Sequence, residues 1–442
     1  MMIRFVFFSG LLLCSVSVLA DQASLNDTAN FVQTNTDRNA LISMQTQTGD
    51  TLTLERAVEL ATQRAPQVEA EQYKQAAAAA DSDRAGRLPD PQLQFGIQNL
   101  DTQGSGAFNP NGDFMTMQFV GVSQDIPSSA ARNAERDKAR ANQALTAANT
   151  RTARFLAQRS AATAWVDLWA AQRADVLLAQ LSAQNTLAIA IARAHLAGAT
   201  GSTTDVLAAR AAKVELDNQI EAIRGAEQEA LAELTRWIGI AAGHAVLSAP
   251  PDFSTLPVRE TCLLQTPDQQ APLLAWGPRV KLAQADLQRA QATKSPDWSI
   301  GASYGIRAPG LPPLASVQVG VRVPLFSGHR EDKDIDARHA DLEAVLADRE
   351  DARRAQIETV RRSLARWRSL NAQVQRDKEI LLPLANDRAS TALAAYRGGS
   401  ALEPWLDARR AEISANIAYV NTLAARARAW AELAYLIPET IP

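Results

Sequence analysis

Residues 316–323 are SVQVGVRV, and this stretch decides how the chain folds. Valine stands at every second position and alternates with small or polar residues, which is typical of a β-strand with one apolar face. Residues 92–98, 114–122 and 298–305 alternate in the same way. The pattern therefore predicts four strands, at about 92–100, 113–123, 297–306 and 315–325.

The motif within this strand occurs twice in the chain. Val120-Gly121-Val122 recurs as Val319-Gly320-Val321, and Leu207-Ala208-Ala209-Arg210 recurs as Leu406-Asp407-Ala408-Arg409, both 199 residues later. Two matches at one spacing indicate an internal duplication. Pro89-Asp90 corresponds to Pro296-Asp297 at a spacing of 207, so we expect eight fewer residues between these two motifs in the second half.

Each half combines its two strands with helices, in the order helix, strand, strand, long helix, second helix. The first half predicts a helix at 54–87 and a second at 128–197, where proline is absent and Ala, Arg, Leu and Gln abound. At about 1.5 Å per residue the second helix is about 100 Å long. Pro383 lies inside the corresponding helix of the second half, where we expect a kink or break.

Apolar residues in these helices recur at the spacing of packed helices. We expect one seam at Phe155, Ala162, Trp169 and Val176. We expect another at Ile357, Val360, Leu364, Trp367, Asn371 and Val374. Both are interpreted as packing seams, because long helices need partners along their length.

The strands have an apolar face and a small or polar face, with Met115, Met117 and Phe119 on the apolar side of the second strand. This pattern fits a membrane barrel with lipid outside and water inside, and it also fits a soluble sheet packed on helices. The membrane alternative is favoured by an exported chain with no later run of about 18 apolar residues. Four strands are too few to enclose a channel, whereas three copies give twelve, so we expect a trimer.

The ends of the chain and its composition bound the function classes further. Residues 1–20 have the pattern of a signal peptide, and Cys14 lacks the small preceding residues that lipidation needs. Cys262 then remains as a single cysteine. A formal net charge of −3 with mixed signs gives no indication of a nucleic-acid partner. The expected organisation is an irregular segment at 21–50, a first repeat at 51–238, a linker at 239–272 and a second repeat at 273–438.

Four motifs resemble those of the TolC-like outer membrane efflux family, in particular its heavy-metal branch of CzcC- and CusC-like proteins. They are Leu88-Pro89-Asp90-Pro91, residues 121–127 (GVSQDIP), residues 323–330 (VPLFSGHR) and Ala395-Tyr396-Arg397-Gly398-Gly399. The resemblance covers nearly all of the chain after residue 20.

The resemblance implies a trimer with a twelve-stranded barrel in the outer membrane and a long α-helical barrel in the periplasm. It implies a passive duct that carries exported substrate, heavy-metal cations in this branch, from an adaptor and an inner-membrane pump. The adaptor-docking candidates lie in the helix-hairpin turns: Gly198, Gly201, Gly398 and Gly399. The periplasmic entrance candidates are the acidic residues Asp407, Glu403 and Asp205, although Pro404 stands where the family has a first aspartate.

For these carboxylates a purely structural role at a helix start remains open, and for Asp205 it is favoured. No catalytic, cofactor or metal motif occurs, and His329 and His339 are not spaced to share a helix face. We therefore expect no enzyme, no cofactor and no metal site. The alternatives are a multidrug or type I secretion duct and, in a different class, a periplasmic coiled-coil adaptor or scaffold without a pore.

Overall fold

A computed structural model of the chain describes residues 51–104, 107–199, 201–239, 247–325, 327–401 and 403–437. The expected signal peptide and the segment 21–50 lie outside the described residues, as do residues 240–246 of the expected linker. The chain divides into two units. The smaller unit comprises residues 1–52 and 244–248, and its described residues include a parallel bridge between Leu52 and Leu247. All elements below belong to the larger unit.

The two halves of the larger unit repeat one order of elements. The first half contains α1 (Leu54–Arg64), α2 (Pro66–Arg84), β1 (Gln92–Gln98), β2 (Met117–Ile126), α3 (Ser129–Ala197) and α4 (Thr203–Ile238). The connection contains α5 (Glu260–Gln265) and two 3₁₀ turns, Pro267–Gln269 and Ala271–Leu273. The second half contains α6 (Trp276–Ala292), β3 (Asp297–Arg307), β4 (Leu314–Arg322), α7 (Glu331–Arg376), a π-helical segment (Asp377–Leu381), α8 (Leu382–Arg397) and α9 (Glu403–Ala434).

Two prolines modify the predicted helices in different ways. The single helix expected at 54–87 is instead two helices, because Pro66 begins α2 and holds Ala65 in an extended conformation. At Pro383 the helical conformation continues without a break, because the π-helical segment before it connects α7 directly to α8. The Leu382 N–H donates to the carbonyl of Asp377, five residues earlier. This wider turn accommodates a residue that has no N–H of its own to donate.

The long helix α3 is the centre of the helical packing, in contact with α1, α2, α4, α6 and α9. Its buried face follows the predicted seam only in part. Ala162 of the seam is fully buried and Val176 is exposed, while Trp165, Leu168 and Leu178, which lie outside the seam, are fully buried. Small alanines on several sides let more than one helix approach α3, so no single seven-residue stripe describes its contacts. In α7 the predicted seam is confirmed at Val360, Leu364, Trp367 and Val374, which are buried.

By length and composition, α3 is also the one described helix that passes a test for a membrane span. It contains no long uninterrupted apolar run, which is why the sequence did not suggest a span there. The apolar window of α3 is 24% buried in the single chain, and α3 packs against five other helices.

The four strands form one antiparallel sheet in the order β1-β2-β3-β4, so the hairpins of the two halves join through β2 and β3. The sheet register corrects the predicted alignment of the halves. Gln92 pairs with Ser123 in the first hairpin, and Asp297 pairs with Arg322 in the second. Since Arg322 follows Ser123 by 199 residues, Asp297 is equivalent to Gln92, and the spacing in this strand is 205 instead of 207.

The corrected spacing aligns Pro91 with Pro296 and Gly96 with Gly301. A two-residue shift leaves every side chain on the same face of a strand, so alternation alone does not distinguish the two alignments. The first hairpin therefore has six extra residues between equivalent positions.

Strand pairing gives the sheet one mainly apolar face, which also carries Gln118 and Gln124 of β2. Its apolar members are Leu93, Phe95, Ile97, Val120, Val122, Ile126, Trp298, Ile300, Ala302, Tyr304, Ile306, Val317, Val319 and Val321. The opposite face consists mainly of glycine, serine and glutamine, with charged residues near the strand ends.

Met117 and Phe119 lie on the polar face, so their predicted place on the apolar face is wrong. Phe119 pairs with Gly305 and with Gly96, which leave space for its ring. A Cβ added at Gly96 would lie 3.3 Å from Phe119, and one added at Gly305 would lie 2.7 Å from the sulfur of Met117. Met115 lies outside β2, in a turn where the Asp113 carboxylate accepts its N–H, and this turn delays the start of the strand to Met117.

Candidate functional site

The first helix-hairpin turn connects α3 to α4 through tight backbone contacts. Gly198 ends α3 with its N–H on the carbonyl of Ala194, and Ala199 adopts a positive φ of 57°. The Gly201 N–H then reaches back to the carbonyl of His195 at 2.9 Å. A Cβ at Gly201 would lie 2.8 Å from the His195 Cβ, so glycine is needed there for close packing.

The second turn, from α8 to α9, starts in the same way and then differs. Gly398 has nearly the same backbone conformation as Gly198, while Gly399 has a φ of 99°, which only glycine adopts without strain. The Ser400 N–H donates to the carbonyl of Ala395. Two of the four predicted glycines, Gly201 and Gly399, are therefore required by the turn geometry itself.

An aromatic stack joins these two turns. The Tyr396 ring, at the end of α8, stacks on His195 at the end of α3, with ring centroids 5.4 Å apart. The Tyr396 ring is also parallel to that of Trp405 in the first turn of α9, with centroids 5.8 Å apart. Val206 of α4 belongs to the same buried cluster, so all four helix ends meet here. The stack couples the positions of the two hairpins.

Asp205 lies at the edge of this cluster and has a capping role. Its carboxylate accepts the backbone N–H of Ser202, and the Ser202 hydroxyl accepts the N–H of Thr204, which together cap α4. Burial raises the pKa of the Tyr396 hydroxyl, and the negative charge of Asp205 raises it further. Asp205 thus caps its own helix and acts electrostatically on the opposite hairpin.

Asp407 and Glu403 lie one helical turn apart at the start of α9, and both are exposed. The Asp407 carboxylate accepts from Arg410 at 3.3 Å, within the same helix. Arg410 also approaches Glu215 of α4, with 3.7 Å between the charged atoms. A chain of alternating charges thus runs from α9 across to the first hairpin.

A groove of about 620 Å³ lies beside the stack. Leu187 and Ile191 of α3 form one wall, and Ala389 and Leu393 of α8 form the other. Leu187 is 60% exposed, so the groove presents apolar surface next to both turns.

The structure therefore brings together three predicted elements: both glycine turns and Asp205. Asp407 and Glu403 lie in the first turns of α9, at the same end of the helices as the two turns, but they are not part of the aromatic stack. No local pattern indicates that His195, Tyr396 and Trp405 meet, because His195 and Tyr396 are 201 residues apart in the sequence. The duplication was the available signal, because it predicts that the two turns occupy equivalent positions.

No metal centre is found among the described residues, where no group of three or more His, Cys, Asp or Glu side chains is placed to hold an ion. His329 lies in a 3₁₀ turn and His339 in α7. Cys262 is a free, half-buried thiol.

Comparison with known proteins agrees with this architecture. A family model described as "Outer membrane efflux protein" matches residues 268–437, which is most of the second half. A search of curated proteins found no match.

Solved structures match the chain over 86% of its length. A membrane protein from Pseudomonas aeruginosa has a TM-score of 0.72 and 19% identity, with 92% of that chain covered. CusC, described as forming a transmembrane channel, has a TM-score of 0.72 and 16% identity, with 90% covered. The outer membrane protein VceC from Vibrio cholerae has a TM-score of 0.67 and 17% identity, with 96% covered.

These structural matches establish the fold, which is that of outer-membrane channel proteins. The family model and the shared fold agree with the resemblance of the sequence motifs to TolC-like outer membrane efflux proteins. That family consists of channels, which is consistent with the expectation that the chain is not an enzyme.

Proposed function

We propose that the protein is the outer-membrane channel of a tripartite efflux system and works as a passive duct in trimeric form. The observation that carries the proposal is the four-stranded sheet, with one mainly apolar face and one mainly small or polar face. An apolar face open to lipid and a polar face toward water is the arrangement of a membrane-spanning barrel. Within the described part of the chain, Phe95 is 86% exposed and Val317 is 76% exposed.

The edges of this sheet support a trimer. The outer edges of β1 and β4 have no strand partner among the described residues. In lipid each unpaired backbone group is costly, so a spanning sheet must close on itself. Three copies supply twelve strands, which close a barrel wide enough for a channel.

The long helices supply the periplasmic part of the proposed duct. The helix α3 has 69 residues, which corresponds to about 100 Å. It starts beside the sheet, where the Ser128 N–H donates to the Asp297 carboxylate at 2.9 Å. With the sheet in the outer membrane, α3 carries the turn at Gly198 far into the periplasm.

That distant end is the proposed entrance and docking site. Asp407, Glu403 and Asp205 would give the entrance negative charge, and the glycine turns with the neighbouring groove would receive a periplasmic adaptor. The groove supports this assignment, because it offers apolar surface between the two hairpins. An inner-membrane pump would supply the energy, which fits a duct without catalytic groups.

We propose heavy-metal cations as the exported substrate. The support is the resemblance of the sequence motifs to the CzcC- and CusC-like branch. A disruption of the gene in the source cell should increase sensitivity to divalent or monovalent metal ions. Increased sensitivity to organic drugs alone would favour the multidrug alternative.

The experiment that tests the duct combines light scattering with planar-bilayer conductance of the detergent-extracted protein. A trimer that forms discrete channels supports the proposal. A soluble monomer without conductance would overturn it and favour the coiled-coil adaptor. The joining of both halves in one sheet argues against that alternative, which has no need of four strands with an apolar face.

A further inference from the structure

The junction between β2 and β3 is an interface between the two repeated halves. In it Gln124 lies opposite Ile300, Val122 opposite Ala302 and Ile126 opposite Trp298. Strand β4 is the second-half equivalent of β2, and β1 is the first-half equivalent of β3. The free edge of β4 is therefore equivalent to the edge of β2 that pairs with β3. The free edge of β1 is equivalent to the edge of β3 that pairs with β2.

The register of the internal junction translates directly to the free edges. Val323 follows Gln124 by 199 residues, and Phe95 precedes Ile300 by 205. By the same spacings, Val321 is equivalent to Val122 and Ile97 is equivalent to Ala302. Likewise, Leu325 is equivalent to Ile126 and Leu93 is equivalent to Trp298.

From this equivalence we infer that β4 of one copy pairs antiparallel with β1 of a second copy in one fixed register. Val323 lies opposite Phe95, Val321 opposite Ile97 and Leu325 opposite Leu93. The partner is a second copy of this chain. The free edge of β4 is equivalent to the edge of β2 that binds β3, and the strand equivalent to β3 is β1. The inference rests on the proposed function and specifies the contact between subunits.

The chemistry of the predicted pairs agrees with this register. All six residues are exposed apolar side chains in the single chain, with Phe95 at 86%, Leu93 at 77% and Leu325 at 76%. The register places each apolar residue opposite another on the same face. On the other face Arg322, at 86% side-chain exposure, lies opposite Gly96, which leaves room for a long side chain.

Leu325 provides a second argument for this pairing. Within the chain β4 ends at Arg322, and residues 323–325 lie outside the strand. In the internal junction the equivalent residues of β2 remain in the strand to Ile126. Pairing with β1 of a second copy would extend β4 over the same distance.

Cysteine cross-linking in the trimer tests the register. In a Cys262→Ser background, Phe95→Cys combined with Val323→Cys should form a covalent trimer on oxidation, because paired Cα atoms lie within disulfide range. Ile97→Cys with Val321→Cys should do the same. Phe95→Cys with Val319→Cys is the matched control, and we expect no cross-link, since these positions are four residues out of register.

Each single-cysteine variant must remain uncross-linked, and light scattering must be measured on every variant. A trimer in which Phe95→Cys joins Val321→Cys and not Val323→Cys would overturn the register while leaving the duct intact. The absence of any trimer would instead overturn the proposed function, so the two failures are distinguishable.

Discussion

The rings of Tyr396 and Trp405 lie parallel, with centroids 5.8 Å apart and an angle of 4° between their planes. They belong to the last turn of α8 and the first turn of α9, so the stack spans the turn at Gly399. Trp405 is buried, with 8% exposure. Its packing therefore stabilises the end of the second hairpin. Because Tyr396 also stacks on His195, it stabilises the contact with the first hairpin as well.

Replacing Trp405 by alanine should lower the free energy of unfolding by about 3–5 kcal/mol, as for other buried aromatic residues. Trp405→Phe keeps a ring against Tyr396 and should lose less. Denaturant unfolding followed by circular dichroism measures both variants. The control is Leu207→Ala, at a 58% exposed position of α4, with an expected change within about 0.5 kcal/mol. Equal losses for Trp405→Ala and Leu207→Ala would contradict the stabilising role of the stack.

The pKa of Tyr396 should depend on Asp205. The Asp205→Asn change removes the nearby charge but keeps an oxygen that accepts the Ser202 N–H, so the cap remains. We expect the Tyr396 pKa to fall while staying above the ordinary value, because burial is the larger cause of its rise. Tyrosinate absorbance measures this pKa, as the difference between each protein and its Tyr396→Phe counterpart.

The sign of the accompanying pH dependence follows from the raised pKa. Tyr396 contributes stability that is complete below the unfolded-state pKa of about 10 and is lost as the pH rises through the folded-state value. Asp205→Asn should lower the folded-state pKa of Tyr396. The pH range over which this stability is lost, between the unfolded-state and folded-state pKa values, should therefore become narrower. Asp217→Asn, also on α4 but paired with Lys213, is the control and should leave the Tyr396 pKa unchanged.

Local sequence predicted the features that depend on local periodicity. Alternation located all four strands, and the seam of α7 follows from apolar residues three and four apart. The duplication predicted that the two hairpins are equivalent. These signals are local or repeated, so no knowledge of tertiary contacts is needed to find them.

Features that depend on distant contacts were missed. Residues 114–122 have apolar side chains on both faces, so the face of Phe119 is decided by Gly96 and Gly305 on neighbouring strands. The stack of His195 on Tyr396 likewise depends on the packing of separate hairpins. In α3 the buried face depends on five neighbouring helices, which a single heptad pattern does not represent.

The role of Asp407 is tested by two changes of opposite sign. If its carboxylate faces the entrance of a trimer, Asp407→Asn should lower the preference for cations, because three negative charges are removed. Arg410→Gln removes the neighbouring positive charge and should raise it. Reversal potentials across a salt gradient measure both effects. No change in either variant would leave Asp407 with only the role of a solvated carboxylate at a helix start.

The two faces of the sheet are tested by one substitution at two positions. Phe95 lies on the apolar face and Phe119 on the polar face, and β1 and β2 are neighbours. Phe95→Ser should destabilise the membrane-inserted trimer by about 1.5–3 kcal/mol per subunit, because an apolar side chain is lost from the lipid-facing surface, and leave single-channel conductance unchanged. Phe119→Ser should raise conductance, because it widens the water-filled side of the barrel, with little effect on stability. Thermal unfolding in detergent and bilayer recordings on both variants measure these quantities. The reverse result, with conductance changed by Phe95→Ser alone, would require the sheet to have the opposite face toward lipid.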